Sequence, residues 1–315
     1  MRFISPGKLK NLGIVGMNMR NVRHIAENNP RHLYPRVDDK LKTKLLAESA
    51  GIAVPKLLGV MRVQKHVKQM VSFLEGQPDF VIKPAKGSGG KGILVITGRD
   101  VDGFVTPNGK VIGEAELHRH ASNTLSGLFS LGGNPDVAMI EEMVKFSNVF
   151  EGFTYQGVPD LRIIVYKGYP VMSMARLSTA NSGGKANLHQ GAVGAGIDIG
   201  TGRALLAIQH GLPIEHHPDT NKKLSELAIP DWTECLRLAS MCYEMTELGY
   251  LGADIVLDVN RGPLILELNA RPGLAIQMTN GQGLQPRIDA INAVADGKAS
   301  AQERVAFSMK EFGLM

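Results

Sequence analysis

The stretch Leu251–Gly273, LGADIVLDVNRGPLILELNARPG, consists of two apolar segments joined by a turn. Residues 255–257 are β-formers, residues 260–263 are rich in turn-forming residues, and residues 264–268 resume the apolar run. This order of apolar run, turn and apolar run predicts a β-hairpin. The interpretation of the rest of the chain depends on this hairpin, because it carries an unusual set of polar side chains.

The polar residues are Asp254 in the first strand and Glu267 and Asn269 near the end of the second. Residues two apart along a strand share one face, so pairing of the strands can bring the three oxygen-bearing side chains together. Oxygen donors with no soft ligand among them suit Mg²⁺, which completes its octahedron with phosphate and water. Alternatively, the two carboxylates are strand-end charges that face solvent. A buried carboxylate between Leu266 and Leu268 requires a partner, which favours the metal site.

The composition is typical of a soluble globular enzyme, with 43% hydrophobic and 21% charged residues among 315. The net charge of +5 and the pI near 9.1 suit phosphate-bearing or acidic ligands. No block of like charge marks a nucleic-acid-binding arm, and 5% aromatic residues leave little material for base stacking. Cys235 and Cys242 form neither a disulfide framework nor a metal motif, which indicates a reducing compartment. Residues 1–10 do not resemble a signal peptide and no apolar run has the length of a membrane span, so we expect a cytoplasmic protein. From the charge distribution and the low aromatic content, we expect no nucleic-acid partner.

Hydrophobic periodicity and turn residues divide the remainder of the chain into short helices and strands. Residues 1–40 are polar and basic, with little periodicity. The predicted helices cover residues 38–51, 63–76, 114–128, 232–248 and 285–295. The predicted strands cover residues 80–84, 93–97, 137–144, 163–167 and 171–177, and residues 211–229 are predicted to form an inserted loop.

A glycine-rich loop, AKGSGGKG at residues 85–92, lies between two predicted strands and directly follows the strand that contains Lys83. Glycines lack Cβ, so such a loop can fold over a polyanion with its N–H groups turned inward. The alternative is a flexible surface turn, but the adjacent strand lysine favours anion binding. Lys40 and Lys44, in the preceding helix, are either surface charges or further phosphate contacts. The loop residues that we expect to bind the nucleotide are Lys86, Gly87, Ser88, Gly89, Gly90 and Gly92.

Two better-known nucleotide-binding motifs are absent from the sequence. Gly90-Lys91 is followed by another glycine and Gly184-Lys185 by an alanine, so neither pair belongs to a P-loop. A G-x-G-x-x-G sequence between a strand and a helix is also missing, which argues against a dinucleotide-binding fold.

The apolar segment VAMIEEMV at residues 137–144 carries two adjacent carboxylates, Glu141 and Glu142. Adjacent residues of a strand point to opposite faces, so one of these carboxylates can accept from an adenine amino group. The backbone groups of Met143 and Val144 can then bind the edge of the ring. Alternatively, both carboxylates are ordinary edge-strand charges.

Arg162 and Arg176 lie within apolar strands, where an arginine generally serves an ion pair or an anionic ligand. The passage NLHQG at residues 187–191 combines polar residues with glycine, as ligand-lining loops do. His189 in this passage is a candidate for direct chemistry, but a lone histidine in a loop more often forms hydrogen bonds.

These motifs, in this order, resemble those of ATP-grasp enzymes over roughly residues 35–280. Residues 80–93 resemble the lysine strand and glycine loop, residues 141–144 the adenine hinge, and the hairpin carboxylates and asparagine the metal triad. Within the superfamily, the chain resembles the RimK type, the glutamate ligases that act on protein or peptide ends, and the proteins labelled α-L-glutamate ligase-related. The residues that carry this narrower resemblance are Asp160, Arg162, Arg176, residues 187–191 and 267–273, with Asp39, Lys40, Thr43 and Lys44 resembling the entry helix.

The resemblance implies an α+β protein with the ATP-grasp fold, in which two α+β subdomains with antiparallel sheets clasp ATP. In place of a full preceding domain, we expect an N-terminal extension over residues 1–40 and a helical entry region over residues 41–75. A glycine-loop subdomain over residues 76–145 and a metal- and substrate-binding subdomain over residues 146–315 would follow. Since substrate choice partly rests on the preceding domain, the acceptor stays open, and residues 200–229 have no counterpart in the family pattern.

The resemblance also implies the cofactors ATP and Mg²⁺, for which Mn²⁺ can substitute. The implied reaction is carboxylate–amine ligation through an acylphosphate, adding glutamate or a similar amino acid to a peptide, protein or small amine. Arg162, Arg176 and Asn187 are the implied catalytic residues, and homo-oligomers are common among such enzymes. Two other functions stay open: a small-molecule kinase built on the same nucleotide site, and a non-catalytic nucleotide-binding protein that acts with a partner.

Overall fold

The structure, a computed structural model, describes residues 4–87 and 89–314. Its α-helices are α1 Pro6–Asn11, α2 Met17–Met19, α3 Pro35–Asp38, α4 Lys40–Ser49, α5 Gln64–Lys68, α6 Met70–Phe73, α7 Glu114–Leu125, α8 Trp232–Thr246, α9 Ile276–Asn280, α10 Gln285–Val294 and α11 Ala301–Phe312. A π-helix covers Arg20–Ala26, and short 3₁₀ helices cover Arg31–Leu33, Leu131–Gly133, Asn148–Phe150, Leu188–Gln190 and Leu224–Glu226. No helix in the described ranges is long and apolar enough to cross a membrane.

The strands form three antiparallel sheets. They are β1 Leu57–Met61, β2 Phe80–Pro84, β3 Leu94–Ile96, β4 Gly98–Asp100, β5 Gly103–Val105, β6 Val111–Ile112, β7 Ala138–Glu141, β8 Asp160–Tyr166, β9 Tyr169–Leu177, β10 Val193–Ile197, β11 Ala204–Gln209, β12 Leu212–Ile214, β13 Tyr250–Asp258 and β14 Gly262–Asn269. The strand orders are β1-β7-β2-β3, β4-β5-β6 and β12-β11-β10-β9-β8-β13-β14.

The chain divides into two compact units. The smaller unit comprises Asp38–Leu45 and Val54–Val144 and holds the four-stranded and three-stranded sheets. The larger unit comprises the chain up to Val37, Leu46–Ala53 and the chain from Lys145 onward, and it holds the seven-stranded sheet. The N-terminal residues therefore pack with the C-terminal part of the chain.

The predicted hairpin forms an edge of the seven-stranded sheet as β13 and β14. Its turn is held by the carboxylate of Asp258, whose Oδ1 accepts from the backbone N–H groups of Asn260 and Arg261 at 2.9 and 3.1 Å. An aspartate that bonds the backbone just ahead of it is a common way of stabilising such a turn. The hairpin prediction is confirmed.

The centre of this sheet is buried, and most residues of its central strands are apolar. Every residue of β8 and of β13 is buried, and helix α8 packs against both strands. Helix α9 lies on the face that contains Gly196, where an added Cβ would come within 2.1 Å of the Thr279 carbonyl oxygen. Glycine at this position therefore lets the helix approach the sheet.

The core of the smaller unit lies between the four-stranded sheet and α7. Its fully buried members include Phe80 and Ile82 of β2, Ile96 of β3, Leu117 of α7 and Ile140 of β7. Phe80 and Ile82 of β2 face this core, and Lys83, which is also buried, points to the opposite face because side chains alternate along a strand.

Several predicted elements differ from those in the structure. The helix predicted over residues 63–76 is two short helices, α5 and α6, with Gln69 between them, and residues 98–112 form the small sheet β4–β6 instead of loops. The loop predicted over residues 211–229 contains β12 and a 3₁₀ helix. Helix α11 was not predicted because half of its 12 residues are polar or charged and the segment was interpreted as a charged tail, although Ser300 and Glu303 form a complete capping box that marks its start.

Candidate active site

The glycine loop follows β2 in the smaller unit, and β2 pairs with β3 as predicted. Gly89, Gly90 and Gly92 have φ angles of 61°, 75° and 75°, in the left-handed region that favours glycine. The Nζ of Lys40 donates to the carbonyl oxygen of Gly87 at 2.8 Å, so the start of α4 lies against the loop. Ser88, the remaining predicted loop contact, lies outside the described residues.

Two lysines of the smaller unit meet one buried carboxylate. Lys44 Nζ lies 2.9 Å from Glu141 Oε1, and Lys83 Nζ lies 2.6 Å from Glu141 Oε2. All three side chains are at most 8% exposed. Burial alone would raise the pKa of Glu141, but the charges and hydrogen bonds of the two lysines outweigh burial, and the pKa lies below its usual value. The carboxylate is therefore ionised at neutral pH and holds both ammonium groups.

Replacement of Glu141 by glutamine is expected to lower the free energy of unfolding by about 3 kcal/mol at neutral pH, because it leaves two buried lysines without a counter-charge. Urea denaturation followed by circular dichroism measures this difference. The lowered pKa means that the stability from Glu141 is present above its unfolded pKa of 4.5 and is lost as the pH falls through the folded pKa. The difference between variant and wild type should thus shrink below that pH. The exposed Glu75, replaced by glutamine, is the control, and a Glu141 variant as stable as wild type would contradict the ion-paired arrangement.

The other residues of the predicted adenine hinge lie just beyond β7. Glu142 donates its backbone N–H to the carbonyl oxygen of Lys56 at 3.0 Å, and Val144 is 8% exposed. The sequence assigns the adenine contacts to one of these two carboxylates and to the backbone of Met143 and Val144, and the Glu141 carboxylate is paired with the two lysines. This assignment stays a prediction. In the loop itself, Lys86 donates its backbone N–H to Asp136 Oδ2 at 2.9 Å.

The candidate catalytic residues of the larger unit share one face of the seven-stranded sheet. Asp160 in β8 is the cross-strand partner of Arg176 in β9, and Arg162 in β8 is the partner of Asp254 in β13. Asp254 is in turn the partner of Glu267 in β14. Cross-strand partners and residues two apart along a strand point to the same side of a sheet, so these five side chains project from one face.

Two arginines and two aspartates form a buried ion-pair network on this face. Arg162 binds Asp254 side-on through Nε and Nη2, the second contact being 2.8 Å. Arg176 binds Asp160 side-on through Nε and Nη2, both at 2.5 Å, and its Nη2 also donates to Asp254 Oδ2 at 2.8 Å. Bidentate pairs of this kind fix the plane of each guanidinium group.

The two aspartates respond differently to this shared network. Burial would raise the pKa of Asp254, but Arg162 and Arg176 outweigh burial and lower it. Burial raises the pKa of Asp160 to about 6, because only Arg176 bonds it and the nearby charge of Asp254 adds to the effect of burial. Asp254 is consequently the more firmly ionised of the two.

The oxygen donors predicted to bind Mg²⁺ are Asp254, Glu267 and Asn269. Glu267 and Asn269 are partly exposed and share a face of β14, and Asn269 Oδ1 accepts from the backbone N–H of Arg271 at 2.8 Å. Asp254 Oδ1 accepts one hydrogen bond and Oδ2 accepts two, so one lone pair of Oδ1 stays available. Among the described residues, no group of three or more His, Cys, Asp or Glu side chains is arranged to hold a metal. A set of two carboxylates and one amide oxygen nevertheless fits Mg²⁺, which takes few protein ligands.

The structure places the remaining candidates in the segment between β9 and β10. Asn187 begins the 3₁₀ helix Leu188–Gln190, and its Oδ1 accepts from the backbone N–H of His189 at 3.0 Å. His189 itself is exposed. This contact is that of a capping residue, and the catalytic role of Asn187 stays a prediction.

The sequence interpretation did not single out Asp160 as a site residue and left Lys44 as an open alternative. A signal for Asp160 was present in its spacing from Arg162, because residues two apart on a strand share a face. Its pairing with Arg176 could not be read in the same way, since it requires the register between two strands.

The chain matches the profile of a known protein family. The profile of the family described as sugar-transfer associated ATP-grasp matches residues 19–293. No curated protein sequence matches the chain at a significant level.

Solved structures with a similar fold share little sequence with the chain. The ATP-grasp ligase PsnB with its minimal precursor is 13% identical, with a TM-score of 0.46, over 84% of this chain and 62% of PsnB. D-alanyl-alanine synthetase A of Vibrio cholerae is 10% identical, with a TM-score of 0.46, over 89% of this chain and 66% of that protein. A RimK domain ATP-grasp protein of Sphaerobacter thermophilus is 10% identical, with a TM-score of 0.43, over 91% of this chain and 72% of that protein. The chain therefore spans less than two thirds of the length of the first two.

Proposed function

The chain belongs to the sugar-transfer associated ATP-grasp family, and from this premise we propose that it is an ATP- and Mg²⁺-dependent ligase that joins a carboxylate to an amine. The expected ATP-grasp superfamily and α+β fold are confirmed by the family match and the antiparallel sheets. The observation that carries the proposal is the face of the larger unit, where two oriented arginines lie beside oxygen donors suited to Mg²⁺.

The smaller unit contains the groups that we propose for nucleotide binding. Lys83 and Lys44 are held together by Glu141, and Lys40 lies against the glycine loop. The Lys44–Glu141–Lys83 group has a net charge of +1, which favours binding of a polyphosphate. The carboxylate between the two ammonium groups reduces the repulsion between them. The loop glycines leave backbone N–H groups free of Cβ crowding for the same anion.

The proposed reaction has two steps. A substrate carboxylate oxygen attacks the γ-phosphorus of ATP, the bond to the β-phosphate oxygen breaks, and ADP leaves an acylphosphate. An amine nitrogen then attacks the acyl carbon and loses a proton, and inorganic phosphate leaves with the electron pair of the broken C–O bond. The product is an amide.

The arginines of the larger unit would stabilise the charge that develops in both steps. Arg162 and Arg176 are fixed before substrate binds, so their donors require little reorganisation when the oxyanion forms. Asp254, Glu267 and Asn269 would hold Mg²⁺, which supplies charge neutralisation at the transferring phosphoryl group when it is bound. No side chain of the protein needs to form a covalent intermediate.

The substrate that we propose is an amino acid or a peptide, with glutamate as the first candidate for the added residue. This follows from the resemblance of the DLR and ELNARPG segments to those of glutamate ligases. Because the family is described as sugar-transfer associated, we propose that sugar-linked carboxylates and amines are also assayed as substrates.

The test measures release of ADP and phosphate from Mg-ATP with amino acids, peptides and amino sugars, supplied singly and in pairs, and identifies the products by mass spectrometry. We expect release that depends on an amino acid and a product that is heavier by one condensed residue. A stable phosphorylated product without amide formation would replace the ligase with a small-molecule kinase. Nucleotide binding without turnover on any amino acid, peptide or amino sugar would support a non-catalytic binding protein.

A further inference from the structure

The side-on ion pairs of the larger unit leave one edge of each guanidinium group unused. Arg176 uses Nε and Nη2 to bind Asp160 and Asp254. Within residues 4–87 and 89–314, its Nη1 makes no hydrogen bond to protein. The Arg176 side chain is 16% exposed, compared with 8% for Asp160.

Among the described residues, the Asp160 carboxylate accepts hydrogen bonds from Arg176 only. Both of its carboxylate oxygens accept from that guanidinium, and the described part of the chain offers it no other hydrogen-bond donor. Asp254, in contrast, accepts from Arg162 and from Arg176 and is also a proposed ligand of Mg²⁺.

A purely structural role explains this pair poorly. Burying an ion pair costs desolvation energy, and apolar residues of similar size stabilise a core at least as well. The flanking residues of β8 and β9, Leu161 and Ala175, are fully buried and apolar, so the sheet does not need an ion pair at this register position.

We infer that Asp160 is a positioning residue, which holds the Nε edge of Arg176 and thereby presents Nη1 to the oxyanion formed during amide synthesis. This inference rests on the proposed ligase function. Among the described residues, Arg176 is the one hydrogen-bond donor to the Asp160 carboxylate, so Asp160 would act through that residue and is not itself catalytic. The side-on geometry on β8 and β9 is rigid because both residues belong to the centre of the sheet.

The test compares kcat and KM of Asp160→Asn with those of wild type, after ligase turnover has been established for wild type. The amide keeps the size of the side chain but loses the charge and one acceptor oxygen. We expect kcat to fall about 10- to 100-fold, while KM for ATP changes little and the protein stays folded at the assay temperature. The exposed Glu151 of the same unit, replaced by glutamine, is the matched control.

A double-mutant cycle distinguishes positioning from an independent effect. If Asp160 acts through Arg176, Asp160→Asn should lower kcat hardly further in an Arg176→Ala background. Guanidinium ions added to Arg176→Ala should restore part of the turnover, and the restoration should vanish when Asp160→Asn is also present.

The outcomes separate this inference from the function on which it rests. Absence of wild-type turnover would overturn both. Wild-type turnover with an Asp160→Asn kcat within about twofold of wild type, or additive effects of the two substitutions, would overturn the positioning role alone. Should Asp160→Asn fail to fold, Asp160→Glu replaces it: the charge is kept and the guanidinium is displaced by one methylene, so an unchanged kcat would also overturn the inference.

Discussion

Replacement of Lys83 by alanine is expected to lower ADP formation about 10²- to 10³-fold, the usual loss when one fixed donor to a developing anion is removed. Lys83 lies at the end of β2, directly before the glycine loop, and its Nζ is 2.6 Å from Glu141 Oε2. Removal of the ammonium group takes the Lys44–Glu141–Lys83 group from a net charge of +1 to zero. Because Glu141 keeps its contact with Lys44, no buried carboxylate is left unpaired and the fold should stay intact.

The measurement is a coupled assay of ADP release, with calorimetric titration of ATP to separate binding from turnover. Lys68→Ala is the control, since this lysine is exposed on α5 of the same unit. The variant Lys83→Met tests the charge alone, because methionine keeps most of the apolar stem. ADP formation by folded Lys83→Ala at the wild-type rate would remove Lys83 from the nucleotide site.

Replacement of Glu267 by alanine is expected to reduce turnover on the order of 10³-fold, because a metal site that neutralises phosphate charge contributes several kcal/mol to the transition state. Glu267 lies opposite Asp254 in the β13–β14 register and is partly exposed, so its loss should not disturb the sheet. The residual rate should require a higher concentration of Mg²⁺, since Asp254 and Asn269 would remain as ligands.

The measurement is the turnover rate across a series of Mg²⁺ and Mn²⁺ concentrations, which gives the metal dependence of each variant. Circular dichroism verifies the fold. Glu267→Gln keeps the size of the side chain and one oxygen, so it should fall between wild type and alanine. Glu151→Gln again provides the matched exposed carboxylate. A Glu267→Ala protein with the metal dependence of wild type would refute the assignment of Glu267 as a ligand.

The two aspartate–arginine pairs explain why buried charges are concentrated on one face of the larger unit. Arg162 and Arg176 are each neutralised by a carboxylate before any substrate binds. This reduces the cost of keeping guanidinium groups in an apolar sheet and leaves their Nη1 donors directed away from the pairs. The Lys44–Glu141–Lys83 group of the smaller unit solves the same problem for two lysines.

Local patterns in the sequence were sufficient for the elements that carry most candidate residues. The β13–β14 hairpin could be predicted because an apolar run, a turn and a second apolar run are adjacent in the chain. The shared face of Glu267 and Asn269 follows from the period of two along a strand. The strand–loop–strand arrangement around Lys83 was likewise local, and the positive φ angles of Gly89, Gly90 and Gly92 agree with the glycines found there.

Other features could not be read from the sequence. In the sequence, only the capping box distinguished α11 from a charged tail. The strands of the small sheet β4–β6 have two or three residues, which is too short for a recognisable alternation of apolar and polar residues. The ion pairs of Glu141 were not predicted either. One of Glu141 and Glu142 was a candidate adenine contact, and the fold places Lys44 of α4 and Lys83 of β2 on either side of Glu141.

The sequence by itself therefore determined the hairpin, the glycine loop and the kinds of side chain available for phosphate and metal binding. Only the tertiary structure decided which charges meet, namely Arg162 with Asp254, Arg176 with Asp160, and both lysines with Glu141. The physical reason is that alternation along one strand is set by backbone geometry, whereas the partner across a sheet depends on strand order and register. Arg162 and Asp254 are 92 residues apart in the chain, and they meet because β8 and β13 are neighbours in the sheet.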